Sequence, residues 1–359
     1  MPDFTSALYL GITHEAGTLR AWKQLTSGKP TALKMLPGAL AVAADLAALT
    51  GSDAATLSRS TLHLFWDLFD QWPQRSSVIC ADAELYETGM WGVERAAYRG
   101  VRTLRFKHYD PDSLAGVLSR SNLRRAPVVV ADGFCPSCGR AAPIPAYLDL
   151  LKANKGWLVI DDTQALGILG QSPGREAPFG RGGGGTLRWC GVTGDRVVTI
   201  SSLAKAFGVP VAVLSGPREF VERFNRLSRT RVHCSGISYV DLHAAEQALA
   251  FNELAGDRTR VYLAQLITRL QAKLAGSKVQ IAGGFFPAQS LAGLPGLPAP
   301  EIHRRLESAG LQAVLLRDRG SGEPRVGILL TALHTPRDID RLAAALLSAV
   351  QRGSGDGRT

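Results

Sequence analysis

The sequence lacks the long apolar runs that membrane-spanning helices need. None of its hydrophobic stretches reaches the length of about 18 residues that a spanning helix requires. Its first residues, MPDFTSALYLGITHEAG, contain no basic segment followed by an apolar one, which argues against a secretion signal. With 45% hydrophobic and 20% charged residues among 359, the composition is typical of a folded globular chain. We expect no membrane association and a cytoplasmic location.

The sequence has few cysteines, and their number is odd. Their scatter along a long chain predicts free thiols in a reducing compartment rather than a disulfide framework. Two of them form a CxxC motif, but no second CxxC and no HxxxH supplies the other ligands of a structural zinc ion. We therefore predict no metal site, interpret the motif as incidental, and keep a redox pair as the alternative. The five cysteines are Cys80, Cys135, Cys138, Cys190 and Cys234.

Signatures of two common ligand classes are also missing. No GxGxxG motif lies between a first strand and a first helix, which argues against a nicotinamide-dependent Rossmann enzyme. The net charge of +10 is compatible with nucleic-acid binding, but no known DNA- or RNA-binding module accompanies it. The basic stretch Arg218–Arg231 has apolar residues at helical spacing and is typical of a solvated helix face. We expect no nucleic-acid partner, and the positive charge favours anionic substrates or cofactors.

Short apolar runs alternate with helical patterns between residues 75 and 216. This alternation predicts a mainly parallel sheet with helices on both faces, followed by a smaller α+β domain. The predicted strands of the sheet are 76–82, 101–106, 127–133, 157–162, 196–202 and 209–216, with helices at 110–119 and 144–154 between them. The smaller domain has predicted helices at 258–275 and 336–350 and strands near 278–286, 311–317 and 325–331. The predicted divisions are an N-terminal segment 1–45, a large domain 46–254, a small domain 255–350 and a flexible tail 351–359.

Three chemically useful residues follow ends of predicted strands: Asp82, Asp161 and Lys205. In an open α/β sheet the ligand binds outside the carboxyl ends of the strands. A lysine there, in ISSLAKAFG, can form a Schiff base with an aldehyde cofactor. A carboxylate ending the buried strand of WLVIDDTQALGILG can hold a pyridine nitrogen protonated. We expect an active site where these strand ends converge.

The order of these motifs resembles one family. DD–TQ–A–LG–ILG followed by SSLAKAFG is similar to the α-oxoamine synthases, a branch of the class I and II aminotransferase-like enzymes that use pyridoxal 5′-phosphate (PLP). ADGFCPSCGRAAPIPAYLDL, HYDPDSLAGVL and LHTPRDIDRL resemble further family segments in the same order, so the similarity spans about residues 28–350. It implies an α/β fold of the fold-type-I PLP transferases, with a large domain around the parallel sheet and a smaller C-terminal domain. It also implies a homodimer with active sites at the interface.

The resemblance assigns cofactor roles to individual residues. Lys205 matches the Schiff-base lysine, and Asp161 matches the aspartate on the pyridine nitrogen. Ser202 matches a hydroxyl residue that binds the cofactor phosphate, and Ser235 matches a residue that reaches the phosphate of the neighbouring subunit. Hydroxyls at the start of a helix form an anion site, but the same residues also serve as plain helix caps, so both interpretations stay open. The turn that matches the family's phosphate-binding turn contains Ser58, Ser60 and Thr61.

The sequence departs from the family at positions that recognise the substrate. Tyr86 stands where the family stacks a histidine on the cofactor ring, and Gln164 replaces the histidine of the DxAH motif, where it can bond the ring's phenolic oxygen. Gly327 matches the arginine that binds the substrate carboxylate. Arg325, two residues away, and Arg317 are the candidates for that role. Cofactor binding is thus retained, while we expect the substrate or the reaction to differ.

The resemblance implies a PLP-dependent transferase that forms an external aldimine with an amine or amino-acid substrate. The aromatic Tyr86 favours transamination, which we take as the first interpretation. The family itself favours the alternative, a decarboxylative Claisen condensation of an amino acid with an acyl thioester. A non-catalytic partner subunit or regulator with the same fold is a remote third interpretation, because Lys205 is present. The amino donor, the acceptor and the pathway are not predictable from the sequence.

Overall fold

The computed structural model describes residues 1–19, 24–72, 78–121, 126–294, 296–318 and 321–353. The strands are β1 (Ala54–Ser58), β2 (Val78–Asp82), β3 (Arg102–Phe106), β4 (Val128–Asp132), β5 (Phe134–Cys135), β6 (Arg140–Ala141), β7 (Trp157–Asp161), β8 (Val197–Ser202), β9 (Ala212–Gly216), β10 (Ile281–Ala282), β11 (Ala288–Leu291), β12 (Val314–Arg317) and β13 (Pro324–Leu329). The α-helices are α1 (Ala39–Thr50), α2 (Thr61–Gln71), α3 (Glu87–Tyr98), α4 (Pro111–Arg120), α5 (Ile144–Lys152), α6 (Thr186–Trp189), α7 (Arg218–Leu227), α8 (Thr230–His233), α9 (Tyr239–Phe251), α10 (Asp257–Leu274), α11 (Ala299–Ser308) and α12 (Pro336–Gly353).

A seven-stranded sheet forms the centre of the molecule, in the order β1-β9-β8-β7-β4-β2-β3. The pairs β2–β3, β2–β4, β4–β7 and β7–β8 are parallel, and β9 runs antiparallel to both of its neighbours. The runs VICAD and VVVAD are buried along their whole length, because helices cover both faces. One face packs under α2, α3 and α7 and the other under α4 and α5. The predicted helix-covered, mainly parallel sheet is confirmed.

The predicted strands and helices of this sheet recur with shifted ends. Residues 76 and 77 of the first predicted strand lie outside the described residues. The last one begins only at Ala212, because Pro210 has no N–H for the ladder. The edge strand β1 was not predicted, since only Thr56 and Leu57 of its five residues are buried and the run carries a weak apolar signal. These differences leave the carboxyl ends of the central strands where the sequence placed them.

A second, smaller sheet has the order β10-β11-β13-β12 and is antiparallel throughout. The neighbouring strand β11 begins only at Ala288 and was not predicted, and of the single strand expected near 278–286 only Ile281–Ala282 forms. Gly283 and Gly284, with φ values of 126° and 58°, interrupt it in a conformation that L side chains rarely adopt. The final helix continues three residues past its predicted end, and residues 354–359 of the predicted tail lie outside the described residues.

The N-terminal segment connects the two sheets. The Phe4 N–H donates to the Gln312 carbonyl at 3.0 Å, and the Leu329 N–H donates to the Phe4 carbonyl at 2.8 Å. The Phe4 ring stacks on His334 with centroids 4.2 Å apart. The carbonyl of Tyr9 then accepts from the Ala332 N–H, and the Tyr9 hydroxyl reaches Gln164 just beyond the end of β7 in the large sheet. Among the helices described, none is both long and apolar enough to cross a bilayer.

Candidate active site

A cavity of about 240 Å³ opens at the carboxyl ends of β2, β4, β7 and β8. Parallel strands end at the same edge of a sheet, so residues far apart in the chain meet there. Most residues that the sequence singled out for cofactor binding line this cavity. The lining residues are Thr61, Tyr86, Thr88, Asp132, Asp161, Thr163, Gln164, Ser202, Ala204 and Lys205.

Lys205 and Asp161 reach the cavity from adjacent strands. Asp161 is the last residue of β7, and only 6% of its surface is exposed. Lys205 follows the end of β8 in a short turn, and its Nζ lies 6.0 Å from the centroid of the Tyr86 ring. A primary amine, a buried carboxylate and an aromatic face thus border one cavity.

Thr163 hydrogen-bonds to the ends of both β7 and β8 and was not identified from the sequence. Its N–H donates to Asp161 Oδ1 at 3.0 Å, and its Oγ1 accepts from the Ser202 N–H at 3.1 Å. A threonine two residues after an acidic strand end is a common turn pattern, so its sequence signal is weak. The hydroxyl of Ser202 accepts from the Ala204 N–H at 3.2 Å, which shapes the turn before Lys205.

Gln164 is oriented by a residue from the start of the chain. The buried hydroxyl of Tyr9 donates to Gln164 Oε1 at 3.0 Å. Burial raises the pKa of Tyr9, so its hydroxyl stays protonated and remains a donor. With Oε1 occupied, the Gln164 NH₂ group is the part of the amide that can donate to a ligand. No local pattern links these two positions, so the role of Tyr9 is not predictable from the sequence.

Tyr86 is the cap of α3 and is held by a second buried carboxylate. Its N–H donates to Asp132 Oδ1 at 3.1 Å, and 43% of the residue is exposed. Asp132 ends β4 in VVVAD, the same pattern that pointed to Asp161, but it was not predicted as a site residue.

The expected convergence of three strand ends is incomplete, because Asp82 does not line the cavity. Its carboxylate instead faces His108, with Nδ1 to Oδ1 at 2.8 Å.

The residues of the turn before α2 line two different cavities. Thr61 lines the central cavity as the first residue of α2, where the N–H groups of a helix start favour an anion. The Ser60 side chain accepts from the His63 N–H at 3.4 Å and so acts as a helix cap. Ser58 does not line the central cavity and faces a neighbouring one of about 350 Å³, together with Ser235.

The two candidate arginines lie on the smaller sheet and do not line the central cavity. Arg325 donates from Nε to Ser290 Oγ at 3.2 Å, and its Nη1 lies 3.8 Å from Asp318 Oδ1. Arg317 is exposed and donates to the Gly322 carbonyl at 3.2 Å. Their role in binding a substrate carboxylate stays a prediction.

The sequence of the chain is similar to those of known PLP-dependent enzymes. The family model for class I and II aminotransferases matches residues 93–346. The 8-amino-7-oxononanoate synthase of Halorhodospira halophila is 30% identical over 318 residues, which cover 87% of this chain and 75% of that protein. That of Alkalilimnicola ehrlichii is 28% identical over 306 residues, covering 84% and 74%. The chain belongs to the class I and II aminotransferase family, on its α-oxoamine synthase branch.

Solved structures of this branch share the fold. The serine palmitoyltransferase of Sphingomonas wittichii superposes with a TM-score of 0.85 at 17% identity, over 98% of this chain and 88% of that one. The 8-amino-7-oxononanoate synthase of Francisella tularensis gives 0.76 at 15% identity, over 98% of both chains. The predicted fold-type-I architecture is therefore confirmed. The α-oxoamine synthase resemblance and the prediction of a PLP-dependent transferase are confirmed with it.

The residues around the cavity fit the PLP cofactor of the family. Lys205 supplies the primary amine that an aldehyde cofactor needs. Asp161 supplies a buried carboxylate for the pyridine nitrogen, and Tyr86 supplies an aromatic face for the ring. Thr61 at the start of α2 and Ser202 offer hydroxyls suited to a phosphate.

Proposed function

We propose that this chain catalyses the decarboxylative condensation of an amino acid with an acyl thioester. In this reaction the α-carbon of the amino acid bonds to the thioester carbonyl carbon, the thiol leaves, and the carboxylate departs as CO₂. Support comes from the convergence of Lys205 and Asp161 on one cavity in a chain that is 30% identical to an 8-amino-7-oxononanoate synthase. The comparisons favour this alternative over the transamination that the aromatic Tyr86 first suggested.

Lys205 would act as the proton carrier of the reaction. Its Nζ, which borders the cavity, would take the proton from the α-carbon of the amino acid and later return one. PLP, when bound, supplies an electron sink for the pair left on that carbon. Asp161 would hold the proton on the pyridine nitrogen, and its bond from the Thr163 N–H fixes the carboxylate for that task.

Recognition of the amino acid would differ from that of the named relatives. Tyr86 can stack on the cofactor ring but carries no positive charge for a carboxylate. Gln164, fixed by Tyr9, would donate from its NH₂ group to the ring's phenolic oxygen. Arg325 is held by Ser290 at the edge of the smaller sheet, and a carboxylate would have to compete with Asp318 for it. We therefore propose a substrate scope distinct from that of 8-amino-7-oxononanoate synthase.

We also propose a homodimer in which Ser235 acts on the neighbouring subunit. Within one chain Ser235 lines the cavity of about 350 Å³, away from Lys205. The second copy would cover two exposed tryptophans on the contacting helices α2 and α3, since a contiguous apolar surface, unlike a single apolar side chain, marks an interaction site. Trp66 and Trp91 are 40% and 47% exposed. Light scattering should give twice the chain mass, and Ser235→Ala should weaken PLP binding without changing that mass.

The proposed reaction can be tested with a panel of amino acids and acyl thioesters. The PLP-loaded protein should release free thiol only when both substrates are present. Lys205→Ala should abolish thiol release, together with the borohydride-sensitive absorbance band of the lysine–cofactor linkage. Lys152→Ala is the matched control, since that lysine is exposed on α5 and pairs with Asp149 one turn earlier in the same helix. It should behave like wild type.

The same assay distinguishes transamination. Formation of a keto acid and of pyridoxamine phosphate without thiol release would favour the aminotransferase interpretation. A wild-type protein that shows no linkage band even with excess PLP would contradict both reactions and favour a non-catalytic role.

A further inference from the structure

Three side chains of types that commonly bind metals lie close together outside the cofactor cavity. His108 follows β3, Cys135 ends β5, and Cys138 lies in the turn between β5 and β6. The ligand atoms of these residues all lie within 4.8 Å of one another. Cys135 is buried, and the other two are partly buried. The PLP chemistry described above uses none of them.

The spacing of these ligand atoms suits tetrahedral coordination of a metal ion. Zinc binds thiolate sulfur at about 2.3 Å and histidine nitrogen at about 2.0–2.1 Å, so a tetrahedral site separates the two donors by about 3.6 Å. His108 Nε2 lies 3.5 Å from Cys138 Sγ. The tight β5–β6 turn keeps the two cysteines close, since the Gly139 N–H donates to the Cys135 carbonyl at 2.9 Å and Cys135 pairs with Arg140 across the hairpin. The ion would need little movement of these residues.

The outer contacts of His108 are those of a metal ligand. Its Nδ1 is bonded to Asp82 Oδ1 at 2.8 Å, which leaves Nε2 to face the sulfurs. A carboxylate on the far nitrogen orients a ligating histidine and makes it a better donor. Asp82 is itself fixed by the N–H groups of Glu84 and Tyr109 at 2.9 and 3.0 Å. The imidazole is therefore positioned before any ion arrives.

We propose that His108, Cys135 and Cys138 bind one zinc ion per chain. Two thiolates and an imidazole are soft and intermediate donors, a set that suits Zn²⁺ better than Mg²⁺ or Ca²⁺. The fourth position falls to water or to Glu84, whose Oε2 lies 3.9 Å from His108 Nε2. The sequence prediction of no metal considered only short ligand spacings, and His108 lies far before the CxxC motif in the chain.

The ion would act on the cofactor site through the chain that carries Tyr86. Asp82 and Glu84 belong to the turn that leads from β2 to Tyr86. The Tyr109 hydroxyl, next to His108, donates to the Asp132 carbonyl at 2.8 Å. Asp132 in turn accepts from the Tyr86 N–H. A zinc ion would thus link the β5–β6 hairpin, through His108 and Asp82, to the turn that leads to Tyr86.

Metal content and a cobalt spectrum test the assignment without reference to activity. The full-length PLP-loaded protein is stripped with a chelator, reloaded with zinc alone and freed of excess ion. Elemental mass spectrometry should then find one zinc per chain. Cobalt in place of zinc should give a thiolate-to-metal charge-transfer band and the visible bands of a tetrahedral site. Zinc should also raise the midpoint temperature of unfolding, because it binds only the folded arrangement.

Single variants locate the site. Cys138→Ser and His108→Gln should lose stoichiometric zinc and the cobalt charge-transfer band, and Asp82→Asn should weaken zinc binding about 10–100-fold. Cys190→Ser is the matched control, because Cys190 is also partly buried but outside the cluster, and it should keep one zinc. Circular dichroism and the lysine–cofactor band establish that each variant is folded.

Three results would overturn the assignment. The first is a wild-type protein with no bound zinc after reloading and no cobalt band. The second is a folded Cys138→Ser variant that keeps one zinc per chain. The third is a freshly purified protein whose mass is two hydrogens short because Cys135 and Cys138 form a disulfide that persists during zinc loading. None of these results depends on the proposed condensation, so the two proposals can fail separately.

Discussion

Asp162 should make the stability of this fold depend on pH in an unusual direction. It lies next to Asp161, is 1% exposed, and accepts the Thr186 N–H at 2.9 Å as well as the Thr186 hydroxyl. Burial raises the pKa of Asp162 to about 6, the two bonds from Thr186 oppose that shift, and the charge of Asp161 adds to it. The ordinary value is 3.8.

The direction of this pH dependence follows from which state, folded or unfolded, binds the proton of Asp162 more tightly. The folded chain has the higher pKa, so it binds a proton more strongly than the unfolded chain. Asp162 therefore contributes stability that is present below pH 4 and is lost as the pH rises through 6. A shift of two pKa units corresponds to about 3 kcal/mol in the free energy of unfolding over the whole range. About 1.4 kcal/mol of this falls between pH 5 and pH 8.

The substitution Asp162→Asn removes the titration and keeps the contacts. The amide oxygen can accept the Thr186 N–H, and the NH₂ group can donate to the Thr186 hydroxyl oxygen after that hydroxyl rotates. Urea unfolding at pH 5 and pH 8 should show the variant gaining about 1.4 kcal/mol on wild type at the higher pH. Asp195→Asn changes an exposed carboxylate and should show no such gain. Equal pH dependence of Asp162→Asn and wild type would refute the reasoning.

Three further substitutions test other contacts. Tyr9→Phe removes the donor to Gln164 and should cost about 1 kcal/mol of stability and weaken PLP binding, measured by equilibrium dialysis. Gly185→Ala should cost more than about 2 kcal/mol in urea unfolding, because φ is 91° and the added Cβ would lie 2.0 Å from Asp162 Oδ2. Asp67→Ala leaves the hydroxyls of Ser228 and Thr230 and two backbone N–H groups without their acceptor and should lower stability by about 2–4 kcal/mol, while Asp67→Asn should recover part of it. A change below about 0.5 kcal/mol in any of the three would contradict the contact concerned.

The sequence predicted those parts of the fold and site that depend on local pattern. Continuous apolar runs identify buried parallel strands, and their ends place Asp161 and Lys205 at one edge because parallel strands share a direction. Both residues line the cavity with Tyr86, Gln164 and Ser202. Their roles on the cofactor stay proposals that the variants above can test.

Contacts between distant parts of the chain could not be predicted from the sequence. Tyr9 reaches Gln164 only because the N-terminal segment packs along the smaller sheet. His108 meets the CxxC motif only because β3 and the β5–β6 hairpin end near each other. Such pairs have no periodicity or spacing that a single sequence reveals. Ser58 is the opposite case. Its local motif predicted a role in phosphate binding, but the residue lines the neighbouring cavity of about 350 Å³ instead.

The most direct test of the proposed reaction follows the carboxyl carbon of the amino acid. The PLP-loaded wild-type protein is given a thioester and an amino acid labelled with ¹³C in its carboxyl group, and labelled CO₂ and free thiol are measured together. Decarboxylative condensation predicts that the two appear in equal amounts, with an aminoketone that lacks the label. Labelled keto acid without thiol, or thiol release with the label retained in the product, would contradict the account.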